Sequence, residues 1–176
     1  SKENGLLLPW LLVVVEVTLF RGVWNGAKNL ALERLAWGAF LVPLVLIASI
    51  FLWAPETVTS GYQQRDFSLI ERLMTQVRVL WQYLAWLGLP DISSMGFHHD
   101  DIAVARHFFP PSGTFYGTVA WLVTVVAALL LRDRYPLLLF ALLFFLVGHM
   151  LESSVLALEL VYEHRNYLPS IGVCLL

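Results

Sequence analysis

Near its C-terminal end the chain reads YEHRNYLPSIG, Tyr162 to Gly172, with Glu163, His164, Arg165 and Asn166 side by side in an otherwise apolar stretch. The guanidinium of Arg165 is planar and always charged, and it matches phosphate oxygens bidentately. With Tyr162 and Tyr167 as anchors at headgroup level, it would hold a lipid phosphate. An arginine that snorkels to headgroups or pairs with Glu163 accounts for the same residues. Counting back, His149, Glu152, Glu159, Glu163 and Asn166 step by three, seven, four and three. One helix through all of them would put the five on a single face. That face is either a solvated acidic stripe or the lining of a cavity that positions a donor or an acceptor.

Other clusters offer related chemistry. Lys2 and Glu3 stand just before the first apolar run, and Arg72 and Arg78 lie in a polar helix. The three cations would meet phosphates, solvent or headgroups. GFHHDD holds His98, His99, Asp100 and Asp101, with Arg106 and His107 soon after. Imidazoles and carboxylates so close together suit a transition metal, acid–base work or an ordinary polar loop. Their spacing matches no zinc pattern, so they are weak metal candidates and no metal site is assigned. Glu16 stands inside an apolar run and needs a hydrogen-bonding partner or a raised pKa there. A P-loop, a dinucleotide fingerprint, a nucleophile elbow and a C-x-x-C pair are all absent from the sequence.

These side chains must be positioned by strongly apolar elements. The chain of 176 residues is 59% hydrophobic and 14% charged, with mean hydropathy +0.71 and net charge −2. Soluble domains are nearer a quarter charged, so composition predicts an all-α, polytopic membrane helical bundle, and the charge gives no basic surface for nucleic acid. A single cysteine, Cys174, allows no intrachain disulfide. Apolar runs predict spans over 5–20, 35–53, 114–131 and 135–150, with a truncated one from about 171. Neither end has the look of a natural terminus, and the chain reads as a partial transmembrane domain, 1–176, of a larger protein.

Residues 68–89 differ. Ser68 with Glu71 forms a capping-box start, and Gly88 with Pro90 a stop. Glu71, Thr75, Arg78 and Gln82 share one face, and Leu69, Leu73, Leu80, Leu84 and Leu87 another. This predicts an amphipathic helix, flat on the non-cytoplasmic interface or lining a cavity there. That placement puts both short basic loops, Arg21 to Arg34 and Arg132 to Arg134, on the cytoplasmic side. The polar clusters then face the opposite side, which in a bacterial inner membrane is the periplasm.

SKENG, FSLIERLMTQVRVLWQYL and LESSVLALELVYEHRNYLPSIG, in that order, resemble a family of bacterial multispanning proteins that carry tetratricopeptide repeats after the membrane part. These are similar to the eukaryotic transmembrane and tetratricopeptide-repeat O-mannosyltransferases, whose segment ends in E-R-x-x-Y-x-P-S-x-G. Here His164 separates Glu163 from Arg165. The resemblance implies a GT-C-type glycosyltransferase that moves a sugar from a polyprenyl-phosphate donor to a protein or glycan hydroxyl. It implies membrane lipid and lipid-linked sugar as partners, with a divalent metal as an optional cofactor. It also implies a catalytic base upstream of Ser1, so the catalytic residues are not identified in this chain. Donor and substrate binding would fall to Lys2, Glu3, Arg72, Arg78, Glu152, Glu159, Glu163, His164, Arg165 and Asn166. A polysaccharide polymerase or O-antigen-ligase-like enzyme, a transporter, and a non-catalytic anchor for partner-binding repeats are the alternatives.

Overall fold

The computed structural model describes residues 2–21, 23–24, 27–53, 56, 60–89, 103–109, 113–151, 153, 160–161 and 166–176. Among the described residues six α-helices carry the fold: α1 Leu8–Val15, α2 Leu30–Trp53, α3 Leu69–Gly88, α4 Thr114–Leu130, α5 Pro136–His149 and α6 Tyr167–Cys174. Short 3-10 turns, Lys2–Leu7 and Ser60–Gln64, precede α1 and α3, and a π turn, Glu16–Phe20, follows α1. The Arg21 N–H closes that π turn on the Glu16 carbonyl at 2.6 Å, and Arg21 then takes the left-handed conformation that ends it. Between α1 and α2, β1 Val23–Trp24 pairs antiparallel with β2 Ala27–Lys28. Asn-Gly connects them in the sequence, a pair suited to a tight hairpin turn. It is a small β addition to the expected all-α chain.

Helix α5 is the hub, because its apolar residues run all round and can be buried on several sides. On one side Phe140 and Phe144 pack with Leu7, Trp10, Leu11 and Val14. On another, Phe145 joins Val79 and Tyr83 of α3 and Val161. Helix α6 lies close against a third side. A Cβ on Gly148 would come within 2.8 Å of the Pro169 ring, and one on Gly172 within 3.0 Å of the Ala141 carbonyl oxygen. Indole N–H groups fasten the remaining contacts, Trp10 to the Phe40 carbonyl, Trp81 to that of Gly117 and Trp121 to that of Val77, each at 3.1 Å. The Trp81 and Trp121 rings stack at 4.3 Å across α3 and α4.

The expected polytopic membrane bundle is corrected here. Among the described residues, no helix is both long and apolar enough to cross a membrane. A bilayer core of about 30 Å needs roughly 20 apolar residues at about 1.5 Å each. The expected span 5–20 divides into a 3-10 turn, an eight-residue α-helix and a π turn. The span 114–131 yields 17 helical residues and 135–150 yields 14. The run from 171 falls in the eight-residue α6. The expected span 35–53 lies within helix α2, of 24 residues, which among the described residues does not meet that requirement either. The assignment to a bacterial inner membrane, with polar clusters toward the periplasm, rested on those spans and falls with them.

The amphipathic helix is present almost to the residue, and the face it buries in the fold lies between the expected polar and apolar ones. Helix α3 buries Arg72, Thr75, Gln76, Val79 and Tyr83, while Ile70 and Leu73 are exposed. Its mixed polar face is inside the fold. Large apolar side chains conversely stand exposed along α2 and α4, Leu35, Trp37, Val45, Leu122, Val123 and Leu130 among them.

Candidate functional site

The buried face of α3 assembles the candidate site. A capping box holds its start. The Ser68 hydroxyl accepts the Glu71 N–H at 3.3 Å, and the Glu71 carboxylate takes the Ser68 N–H at 2.8 Å and its hydroxyl at 3.0 Å. These bonds, with the attraction of Arg106, hold the Glu71 carboxyl below its ordinary range. One residue on, Arg72 is fully buried. Its charge acts on Tyr62, whose phenol is pushed up by burial and partly drawn back by the guanidinium. Tyr62, Arg65, Phe67, Ser68 and Glu71 line an open depression of about 540 Å³ over this end of the helix.

From Arg72 a polar seam runs along α3. The Thr75 hydroxyl donates to the Glu71 carbonyl at 2.7 Å and accepts the Ala105 N–H at 2.9 Å, tying the 103–109 stretch to the helix. The Gln76 amide donates from Nε2 to the Leu160 carbonyl at 2.8 Å. Two turns later the Asn166 amide donates from Nδ2 to the Tyr83 carbonyl at 3.2 Å. Each carbonyl only accepts, so both amide orientations are fixed by their partners. Gln76 Oε1 and Asn166 Oδ1 are then buried without a donor. A buried acceptor left unbonded costs about 1–3 kcal/mol, and such an atom marks a place where a hydroxyl or N–H can be received.

His149, at the end of α5, completes the far side. Its ring stacks on Tyr83 at 5.0 Å and lies 4.5 Å from the Phe145 ring. Its Nδ1 lies 3.0 Å from the Phe145 carbonyl and therefore carries a proton in that bond. The single helix expected through His149 and Asn166 is not what joins them. Helix α5 stops at His149, Met150 and Leu151 form a turn, and Ser153 N–H bonds back to the His149 carbonyl at 2.8 Å. Both residues nevertheless converge on Tyr83, one by its ring and one by its amide.

Of the residues expected at a donor site, Arg72 is buried on α3 and Asn166 bonds the Tyr83 carbonyl, three turns further along that helix. Arg78 is half-buried, with a long contact of 3.5 Å to the Ala103 carbonyl. Glu152, Glu159, Glu163, His164 and Arg165 lie outside the described residues, as do His98, His99, Asp100 and Asp101. The backbone of Lys2 and Glu3 forms part of the first 3-10 turn, and their side chains lie outside the described set. Among the described residues no group of three or more His, Cys, Asp or Glu is placed to hold a metal. Sequence reasoning missed Tyr62, Gln76 and Tyr83, and named Arg106 only beside the histidine and aspartate loop, not as a partner of Glu71. Only the polar spacing of Arg72 and Gln76 on one helix, four apart, could have pointed to a buried pair.

No protein-family model matches the sequence, and no curated protein or solved structure matches it either.

Proposed function

We propose that this chain is the donor-binding part of a glycosyltransferase that takes a sugar from a polyprenyl phosphate and transfers it to a protein or glycan hydroxyl. The observation that supports the reading is Arg72, fully buried on α3 one turn before Gln76, whose amide oxygen has no donor. A buried guanidinium stabilises a phosphate far better than an exposed one, because water does not screen it. In the reaction the acceptor oxygen bonds to the anomeric carbon, and the bond from that carbon to the phosphate oxygen breaks. Negative charge builds on the departing polyprenyl phosphate, and the guanidinium of Arg72 offsets it. Gln76 Oε1 and Asn166 Oδ1 suit sugar hydroxyls, which need acceptors. The exposed apolar sides of α2 and α4 suit the polyprenyl chain, and the acceptor proton passes to a carboxylate base.

The test is transfer from a radiolabelled polyprenyl-phosphate hexose by the full-length protein. The expected result is that Arg72→Lys keeps the fold and loses about a hundredfold in kcat. Gln76→Leu is expected to raise KM for the donor with less effect on kcat. Full activity in Arg72→Lys would refute the role of Arg72, and absence of any transfer by the wild-type protein would refute the reading as a whole.

A further inference from the structure

A second cleft of about 540 Å³ lies between the π turn after α1, the first turns of α2 and the turn that joins α4 to α5. It stands at the opposite end of α4 from Arg72. Near that arginine, Thr114 at the start of α4 donates to the Met74 carbonyl at 3.4 Å. At the other end, just beyond Leu130, Arg21 reaches Asp133 and the Arg132 carbonyl. The 17 residues of α4 separate the two regions by about 26 Å.

The charges of this cleft are balanced and only partly used. Arg21, Lys28 and Arg132 face Glu16, Glu33 and Asp133. Arg21 is committed, with Nη1 at 2.8 Å from Asp133 and Nη2 donating to the Arg132 carbonyl at 2.6 Å. Lys28, Glu33 and Arg132 make no ion pair among the described residues. Next to Lys28, the Asn29 side chain accepts the Ala31 N–H at 3.0 Å and so caps α2, whose positive dipole end is therefore at this rim. The wall below is apolar. Val17, Trp37 and Phe40 form it, the two rings meeting edge to face at 6.2 Å. The bond from Trp10 to the Phe40 carbonyl fixes α1 against α2 behind them.

An inorganic anion would use the cations and leave Glu33 and the apolar wall idle, and a neutral lipid would leave all the charges idle. We propose that the cleft binds a zwitterionic amphiphile, a phosphate ester that bears an ammonium group and one acyl chain. Its phosphate meets Lys28 and Arg132, its ammonium meets Glu33, and its chain lies along Val17, Trp37 and Phe40. A ligand with no net charge leaves the three-against-three balance of the cleft intact. The site is separate from the donor site proposed above and does not depend on it.

Calorimetric titration with single-chain lysophosphatidylethanolamine, kept monomeric, tests the proposal. Binding is expected at least about tenfold tighter than that of monoacylglycerol with the same chain, or of free phosphoethanolamine. The double variant Lys28→Glu/Arg132→Glu is expected to lose about tenfold. Glu33→Gln is expected to lose the preference for lysophosphatidylethanolamine over lysophosphatidylglycerol. Equal binding of the monoacylglycerol would overturn the headgroup assignment, and equal binding of phosphoethanolamine would overturn the amphiphile. No binding at all would overturn both. Should the double variant fail to fold by circular dichroism, the ratio in Glu33→Gln decides alone, and an unchanged ratio overturns the proposal.

Discussion

Gly148→Ala is a direct probe of the α5–α6 contact that sets Asn166 beside Tyr83. Two effects of opposite sign compete. Alanine in a helix interior is favoured over glycine by about 0.8–1 kcal/mol. Its Cβ, however, would sit 2.8 Å from Pro169 Cγ and 3.2 Å from both Cα and Cβ of that residue. A proline ring offers little freedom to move aside, and overpacking of this kind costs about 1–3 kcal/mol. The net expectation is a destabilisation of about 1–2 kcal/mol. Gly38 of α2 is the internal control, because a Cβ there would meet nothing within 4 Å, so Gly38→Ala should gain about 0.8–1 kcal/mol. Pro169 is the third residue of α6, where the missing N–H has no helical partner to lose. Pro169→Ala removes the ring atom at 2.8 Å but keeps Cα and Cβ, so it should relieve part of the Gly148→Ala clash, with a coupling of about 0.5–1 kcal/mol in a double-mutant cycle. Equilibrium unfolding in denaturant measures all four proteins. If Gly148→Ala stabilises as much as Gly38→Ala does, the close approach of α5 and α6 is refuted.

Because the Ser68 bonds hold the Glu71 carboxyl below its ordinary range in the folded chain, its stabilising contribution is present above about pH 4.3 and is lost as pH falls through the folded value. Glu71→Gln should flatten that acid limb in unfolding midpoints measured from neutral to acid pH, and Ser68→Ala should cost about 1 kcal/mol at neutral pH. Arg21 is in the left-handed region at φ 53°, and its ion pair with Asp133 is largely exposed. Arg21→Gly should therefore change stability by less than about 1 kcal/mol, as relieved backbone strain offsets a weak pair. A loss well above that in thermal unfolding would show that the pair counts for more.

Helix α3 shows where the sequence was readable. Ser68 and Glu71 set its start through local hydrogen bonds, which need no other part of the chain, and the expected 68–89 became Leu69–Gly88. Helices α4 and α5 were likewise visible as apolar runs, apart by the short Arg132–Arg134 turn. The two basic loops were expected on the cytoplasmic side of a membrane, a placement that falls with the spans; the contact of Arg21 with the 132–133 turn is a matter of packing. Apolar length, by contrast, overstated the case for membrane spans. Composition does not register that Glu16–Phe20 winds into a π turn closed at Arg21, or that α5 ends at His149.

By itself, the sequence determined the features that depend on neighbours in the chain: the capping box of α3 and the apolar character of α5. Which face of α3 is inside was decided by the tertiary structure. Periodicity shows only that two faces differ, whereas the carbonyls of Leu160 and Glu71 and the N–H of Ala105 give its polar groups partners within the fold. The meeting of His149 and Asn166 at Tyr83 was decided the same way. Tyr83 and Asn166 are 83 residues apart in sequence, and only the packing of α3 and α6 around α5 brings them within a hydrogen bond.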